Sequence, residues 1–144
     1  MGTFKLILEL GDPAAQRFAS FEALVDTGAT YTAFPASVLL DLGVSPHRRA
    51  TFELADGSQT EWDVGRTWVR LNGRTEMTLV VFGAEGVEPI LGAVTIEEFL
   101  LTPDPIRQRL IPVPGLMMVV RDEMENRQKD GCTMESRISI ERAD

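Results

Sequence analysis

The chain has 144 residues, 44% of them hydrophobic and 25% charged, with a formal net charge of −8. That is enough for one domain with a modest core, in proportions ordinary for a soluble globular protein. The acidic balance argues against nucleic acid as a main partner, because phosphate binding needs a basic surface, and weakly against anionic membranes.

The N-terminal "MGTFKLILEL" carries one lysine and a short apolar run that stops at Glu9. Without a cleavage pattern it reads as a strand over residues 4–10, not as a signal peptide. Gly2 does not make a myristoylation signal, since position 6 is Leu and not Ser or Thr. Gly11-Asp12-Pro13 ends the strand, and a second runs over 17–25 into Asp26. A short helix is predicted over 35–43, with Pro35 in its first turn and Gly43 at its end. Strands over 51–55 and 59–64 flank Asp56-Gly57, a strong hairpin signal. Strands over 67–71 and 75–82 flank a second turn, Asn72-Gly73, and the nearly all-apolar "TLVVF" predicts a central, buried strand. After the turn-like "GAEGVEP" and Ile90-Leu91-Gly92, Thr95 and Glu98 have capping-box spacing ahead of a brief helix. "LLTPDPIRQRLIPVPG" reads as strand, turn and strand, turning around Pro103-Asp104-Pro105. From about residue 121 the chain is polar with both signs of charge, and a poorly ordered tail is expected.

Cys132 is the one cysteine, so no internal disulfide forms, and a reducing, intracellular setting is the simpler expectation. His47 is the one histidine and has no Cys or second His near it, which leaves a metal site or a Ser-His-Asp triad poorly supplied. No apolar run is long enough to cross a bilayer. The cytosol is the expected location, with no cofactor and no metal.

The informative stretch is "LVDTGAT", residues 24–30. A carboxylate directly after an apolar strand needs compensation if it is buried. One reading is a local turn, with Asp26 and Thr27 bonding nearby backbone and Gly28 relaxing the chain. The other is a reaction centre, a carboxylate on a strand-ending loop framed by small residues, with Ala29 leaving a cleft open.

Three elements in order resemble the retropepsin-like aspartic proteases, the single-domain retroviral type. "LVDTGAT" is similar to that family's hydrophobic-hydrophobic-Asp-Thr/Ser-Gly-Ala pattern. "ADGS" (Ala55, Asp56, Gly57, Ser58) tips a hairpin where the family has its flap. "PILGAVTIEEFL" resembles its second hydrophobic-hydrophobic-Gly element, and "DPIRQRLIPVPG" the closing strands of small bacterial and archaeal members. The resemblance covers roughly residues 3–116 and implies a mainly β, closed barrel of the acid-protease fold with one or two short helices. It divides the chain into a protease domain over 1–120 and a tail over 121–144.

The resemblance also implies roles. Asp26 would be catalytic, in an active-site loop with Thr27, Gly28 and Ala29. Ile90, Leu91 and Gly92 would support that loop, and Ala55 to Ser58 would close over an extended peptide. Two carboxyl groups held close cannot both ionise easily, so one can act as base on water while the other donates to the scissile carbonyl. One DTG per chain then implies a homodimer with Asp26 from each copy. The partners expected are a second copy and a peptide or protein substrate, with neither nucleic acid nor membrane. The flap tip departs from the glycine-rich viral flap in carrying Asp56. Trp62 is left open between lining the cleft and a structural place. The alternative to an endopeptidase is a dimeric peptide-binding module of the same fold with little or no activity.

Overall fold

The computed structural model describes residues 3–117. One compact unit covers Met1–Val113, and a second begins at Pro114. The tail expected over 121–144, and Cys132 within it, lie outside the described residues.

The described elements are β1 (Phe4–Gly11), β2 (Phe18–Val25), β3 (Thr32–Pro35), α1 (Ala36–Asp41), β4 (Arg48–Glu53), β5 (Gln59–Leu71), β6 (Arg74–Gly83), β7 (Ile90–Leu91), α2 (Ala93–Glu98), β8 (Leu101–Asp104) and β9 (Arg109–Pro112). Seven strands form one sheet in the order β1-β2-β7-β3-β6-β5-β4. β1 pairs with β2 along its whole length and, on its other edge, with β5 through Glu9–Arg70 and Leu10–Val69. A strand with partners on both edges closes the sheet into a barrel, and β4 extends beyond it as the outer arm of a hairpin with β5.

Alternation fills the barrel. Phe4, Leu8 and Leu10 of β1 point inward, while Lys5 and Glu9 stay at the surface. Residues 78–82 of β6 are all buried, as the nearly all-apolar run predicts for a strand covered on both faces. Phe34, Leu39, Leu91, Ile96 and Phe99 complete the main core. Each large side chain fully withdrawn from water there contributes about 1.5–3 kcal/mol.

Several local expectations shift. The strands read over 59–64 and 67–71 are one 13-residue strand, β5. Gly65 does not break it. A Cβ there would lie 2.8 Å from the Ser45 carbonyl oxygen, so the glycine marks a close approach of backbone. The first arm of the Asp56-Gly57 hairpin begins earlier, at Arg48, and Ala55 belongs to a five-residue connection, not to a strand. β3 has no counterpart among the strands that the sequence predicts. It is held by tertiary partners, running parallel to β6 and meeting β7 at Ala33–Ile90. Asn72 (φ 52°) and Gly73 (φ 80°) do form a two-residue turn between Leu71 and Arg74. The last turn moves to residues 105–108. Pro103 and Asp104 sit in β8, and the Asp104 carboxylate accepts the amides of Ile106 and Arg107.

The capping box is also corrected. The α2 N-cap is Gly92, with no side-chain cap. Thr95 lies inside the helix, fully buried, and its hydroxyl bonds other threonines instead.

Helix α1 shows how a missing local cap is replaced. Its N-cap is Pro35, which has no side-chain acceptor to offer. Glu85 from the β6–β7 loop takes that part, accepting the Ser37 amide at 2.9 Å and the Ser37 hydroxyl at 2.6 Å. The Ser37 hydroxyl, then its amide, holds the Glu85 carboxyl below its usual value of 4.5. A depressed folded value means that the contribution is complete above pH 4.5 and fades as pH falls through the lower folded value. Glu85→Gln is therefore expected to lower the thermal midpoint at pH 7, with the gap to wild type closing in acid. Calorimetry of both proteins between pH 7 and pH 3 checks this.

Candidate active site

Val25 ends β2 in the core, and the chain then leaves the sheet as the loop 26–30. Asp26 and Ala29 are half-buried, whereas Thr27 and Gly28 are exposed. The Gly28 amide donates to Asp26 Oδ1 at 2.9 Å, and the Ala29 amide to the Asp26 carbonyl at 3.1 Å. The carboxylate thus turns back on its own loop. Gly28 is needed here for space, not for a left-handed backbone: a Cβ there would sit 3.1 Å from Asp26 Oδ1.

The loop is anchored by the second apolar-apolar-glycine element. β7 lies between β2 and β3, parallel to β2, with Leu24 beside Ile90 and Val25 beside Leu91. The Leu24 amide donates to the Pro89 carbonyl, and the Asp26 amide to the Leu91 carbonyl at 3.1 Å. The first amides of α2 complete the tie, Ala93 donating to the Ala29 carbonyl and Val94 to the Thr30 carbonyl. Helix-initial amides have no partner within the helix, so they are available for this. Gly92 sits where a Cβ would be 2.5 Å from the Tyr31 carbonyl carbon, and only glycine lets the two backbones touch. The two ends of the loop, Asp26 and Ala29–Thr30, are therefore tied to Leu91 and to Ala93–Val94 across more than sixty residues of sequence, while Thr27 and Gly28 between them stay exposed.

The hairpin β4–β5 stands over its own small core of Val64, Leu79 and Val81, joined by Tyr31, Ala33, Ala50, Phe52 and Trp62. One face of the hairpin is apolar, with Ala50 opposite Trp62. The other is charged, with Arg49 bridging Asp63 at 3.1 Å and Glu61 at 3.4 Å. Tyr31, the first residue after the loop 26–30, meets Phe52 edge-to-face at 5.7 Å between ring centroids. That contact links the hairpin to the Asp26 loop. Among the described residues no hydrogen bond joins the tip residues 55–58 to that loop.

The tip closes on itself. The Leu54 amide donates to the Ser58 carbonyl, and Gly57 takes a left-handed φ of 87°. Asp56 Oδ1 accepts both the Ser58 hydroxyl (2.6 Å) and the Ser58 amide (2.9 Å). These bonds hold the Asp56 carboxyl below its usual 3.8, hydroxyl first and amide second, so the turn keeps its charged acceptor in mild acid.

Trp62 is half-buried and lines an open groove of about 470 Å³ with Leu40, Pro46, Arg49, Phe82 and Glu85. No residue of the Asp26 loop belongs to that lining, so the groove is separate from the candidate site. Sequence reading passed over Tyr31 and Phe52, since neither carries a motif and their meeting depends on tertiary pairing.

The loop, its anchor and the hairpin now have a counterpart. The family described as "gag-polyprotein putative aspartyl protease" matches residues 18–98, more than half of the chain. The chain belongs to this family. The matched segment runs from β2 to the end of α2 and so includes the Asp26 loop, the β4–β5 hairpin and the Ile90–Gly92 anchor. Among solved structures, the EIAV protease in complex with the inhibitor HBY-793 is similar at 18% identity and a TM-score of 0.50, over 68% of this chain and 88% of that one. At such identity the likeness shows the fold, which is retropepsin-like. The simian foamy virus (mac) protease is similar at 20% identity and a TM-score of 0.47, over 69% of this chain and 100% of that one. The retroviral protease-like domain of Ddi1 from Leishmania major is similar at 18% identity and 0.49, over 76% of this chain and 88% of that one. No curated protein matches the sequence. Among the described residues no helix is long and apolar enough to cross a membrane, and no group of three or more His, Cys, Asp or Glu side chains is placed to hold a metal ion.

Proposed function

We propose that the chain is a homodimeric aspartic endopeptidase whose reactive pair is Asp26 from each of two copies. The observation that carries this reading is the way the Asp26 loop is built. A half-exposed carboxylate is set by the Gly28 amide and anchored through Leu91, Ala93 and Val94 in a chain of the aspartyl protease family. A plain turn does not need three separate ties from a distant segment.

In this mechanism two like carboxyl groups near a two-fold axis share one proton, because the second ionisation is opposed by the first charge. The ionised member takes a proton from water as it attacks the peptide carbonyl. The protonated member donates to the carbonyl oxygen, and the same proton traffic in reverse releases the amine. Thr27, exposed beside Asp26, would bond the partner's loop and hold the carboxylates coplanar. The tip 55–58 would close over an extended substrate, whose backbone pairs with the hairpin in strand fashion. Leu110 and Ile111 of β9 would contribute to the dimer sheet. The catalytic domain would span residues 1–120, the acidic protein acting where no membrane or nucleic acid is engaged.

The test is concentration. One chain supplies one Asp26, so activity per chain is expected to fall on dilution below the dimer dissociation constant. Specific activity across a dilution series is measured beside mass by light scattering. A bell-shaped pH profile with an acidic to near-neutral optimum is expected from the same samples. Full activity from a demonstrated monomer would overturn the half-site reading. Dimers that bind peptides without cleaving them would select the binding-module alternative.

A further inference from the structure

Three threonines from three elements meet in the interior behind the Asp26 loop. Thr32 of β3, Thr78 of β6 and Thr95 of α2 are each fully buried. The Thr32 hydroxyl donates to the Thr95 hydroxyl at 2.6 Å, and the Thr95 and Thr78 hydroxyls are 2.8 Å apart. At the other end, Thr32 Oγ1 accepts the Gly92 amide at 3.0 Å. The Gly92 amide and the Leu91 carbonyl belong to one peptide group. That carbonyl accepts the Asp26 amide. A peptide group is planar, so turning its N–H away from Thr32 also turns its C=O away from Asp26.

We infer that the Thr78–Thr95–Thr32 hydroxyl chain sets the orientation of the Leu91–Gly92 peptide and through it the position of Asp26, which makes Thr95 a positioning residue for the reaction. The chemistry favours this over simple burial of three alcohols. Burial alone is satisfied by any hydroxyl pairing, or by valine at all three places. Here the chain ends on a peptide amide whose other side holds the candidate nucleophile-activating residue. Serial hydrogen bonds polarise one another, so loss of the Thr95 hydroxyl weakens the bonds beyond it. It also leaves the Thr32 hydroxyl, committed as donor, without that acceptor. The inference rests on the proposed role of Asp26 for its kinetic consequence, but not for its structural one.

The experiment uses the full chain with Thr95→Val and Thr95→Ser. Residue-resolved amide exchange by NMR reads the structural arm. Thr95→Val is expected to speed exchange at Asp26 and Gly92 about tenfold over the change in the β5–β6 ladder, and Thr95→Ser to restore it. Peptide hydrolysis reads the other arm. kcat is expected to fall about tenfold with KM within about twofold, again restored by serine, since a small misplacement of a reacting group costs rate more than binding. Equal change at all slow amides with kcat unaltered overturns the inference and leaves the threonines as core filling. If no hydrolysis depends on Asp26, the proposed function fails, while exchange at Asp26 and Gly92 still decides this inference. Should Thr95→Val not fold, Thr78→Val removes only the distal hydroxyl. A rise in exchange confined to Asp26 and Gly92 then supports the inference, and no local rise overturns it.

Discussion

Asp26→Asn is expected to leave a folded dimer and to reduce peptide hydrolysis by at least about two orders of magnitude, the scale of lost general acid–base help. The substitution is close to isosteric. Asparagine still offers Oδ1 to the Gly28 amide, and the backbone ties to Leu91, Ala93 and Val94 involve no side-chain atom of residue 26. The thermal midpoint should therefore stay near wild type while the rate collapses. What is lost is a group able to carry charge and exchange a proton. Mixing extends the test. With excess Asp26→Asn chain, most wild-type subunits enter heterodimers holding a single carboxyl group, and activity should fall well below that of wild type at the same wild-type concentration. The measurement is initial rate on an extended peptide against the fraction of variant added. A rate near wild type for the variant alone would remove Asp26 from the mechanism.

Gly92→Ala is expected to destabilise the fold by about 3 kcal/mol or more, the upper range for forcing atoms into a close-packed interior. The added Cβ would lie 2.5 Å from the Tyr31 carbonyl carbon, 2.6 Å from its oxygen and 2.9 Å from the Thr32 nitrogen. All three are backbone atoms of a segment pinned between β6 and β7, so no rotamer change relieves the contact. Gly28→Ala is the useful contrast. Its Cβ would meet a side-chain oxygen at 3.1 Å in an exposed loop. That variant should fold with little loss of stability but with the Asp26 carboxylate displaced, and so with reduced activity. Chemical denaturation of both variants checks the ranking. A Gly92→Ala protein within about 1 kcal/mol of wild type would mean that β3 and β7 separate more readily than their packing indicates.

Much of the architecture was legible because it depends on local pattern. The nearly all-apolar run in 78–82 marked a strand covered on both faces, and Asn72-Gly73 marked a turn whose backbone angles few other pairs adopt. The order of "LVDTGAT", "ADGS" and "PILG" was enough to indicate the family, since each motif answers to a local need: a turn after a strand, a hairpin tip, a close backbone approach.

What escaped the sequence depends on partners far along the chain. β3 is only four residues, Thr-Ala-Phe-Pro, too short to carry a strand pattern of its own, and exists because β6 and β7 supply its hydrogen bonds. The gap read between strands over 59–64 and 67–71 contains Gly65, where the Ser45 backbone leans on one continuous strand. The Thr95–Glu98 spacing mimicked a capping box, but the helix begins at Ala93, after a Gly92 N-cap, so Thr95 falls on its buried side, facing Thr32 and Thr78. The DTG sequence by itself singled out Asp26 as the candidate for a reactive carboxylate. Only the tertiary structure decided what holds it, because the Leu91–Gly92 peptide reaches Asp26 through space and not along the chain.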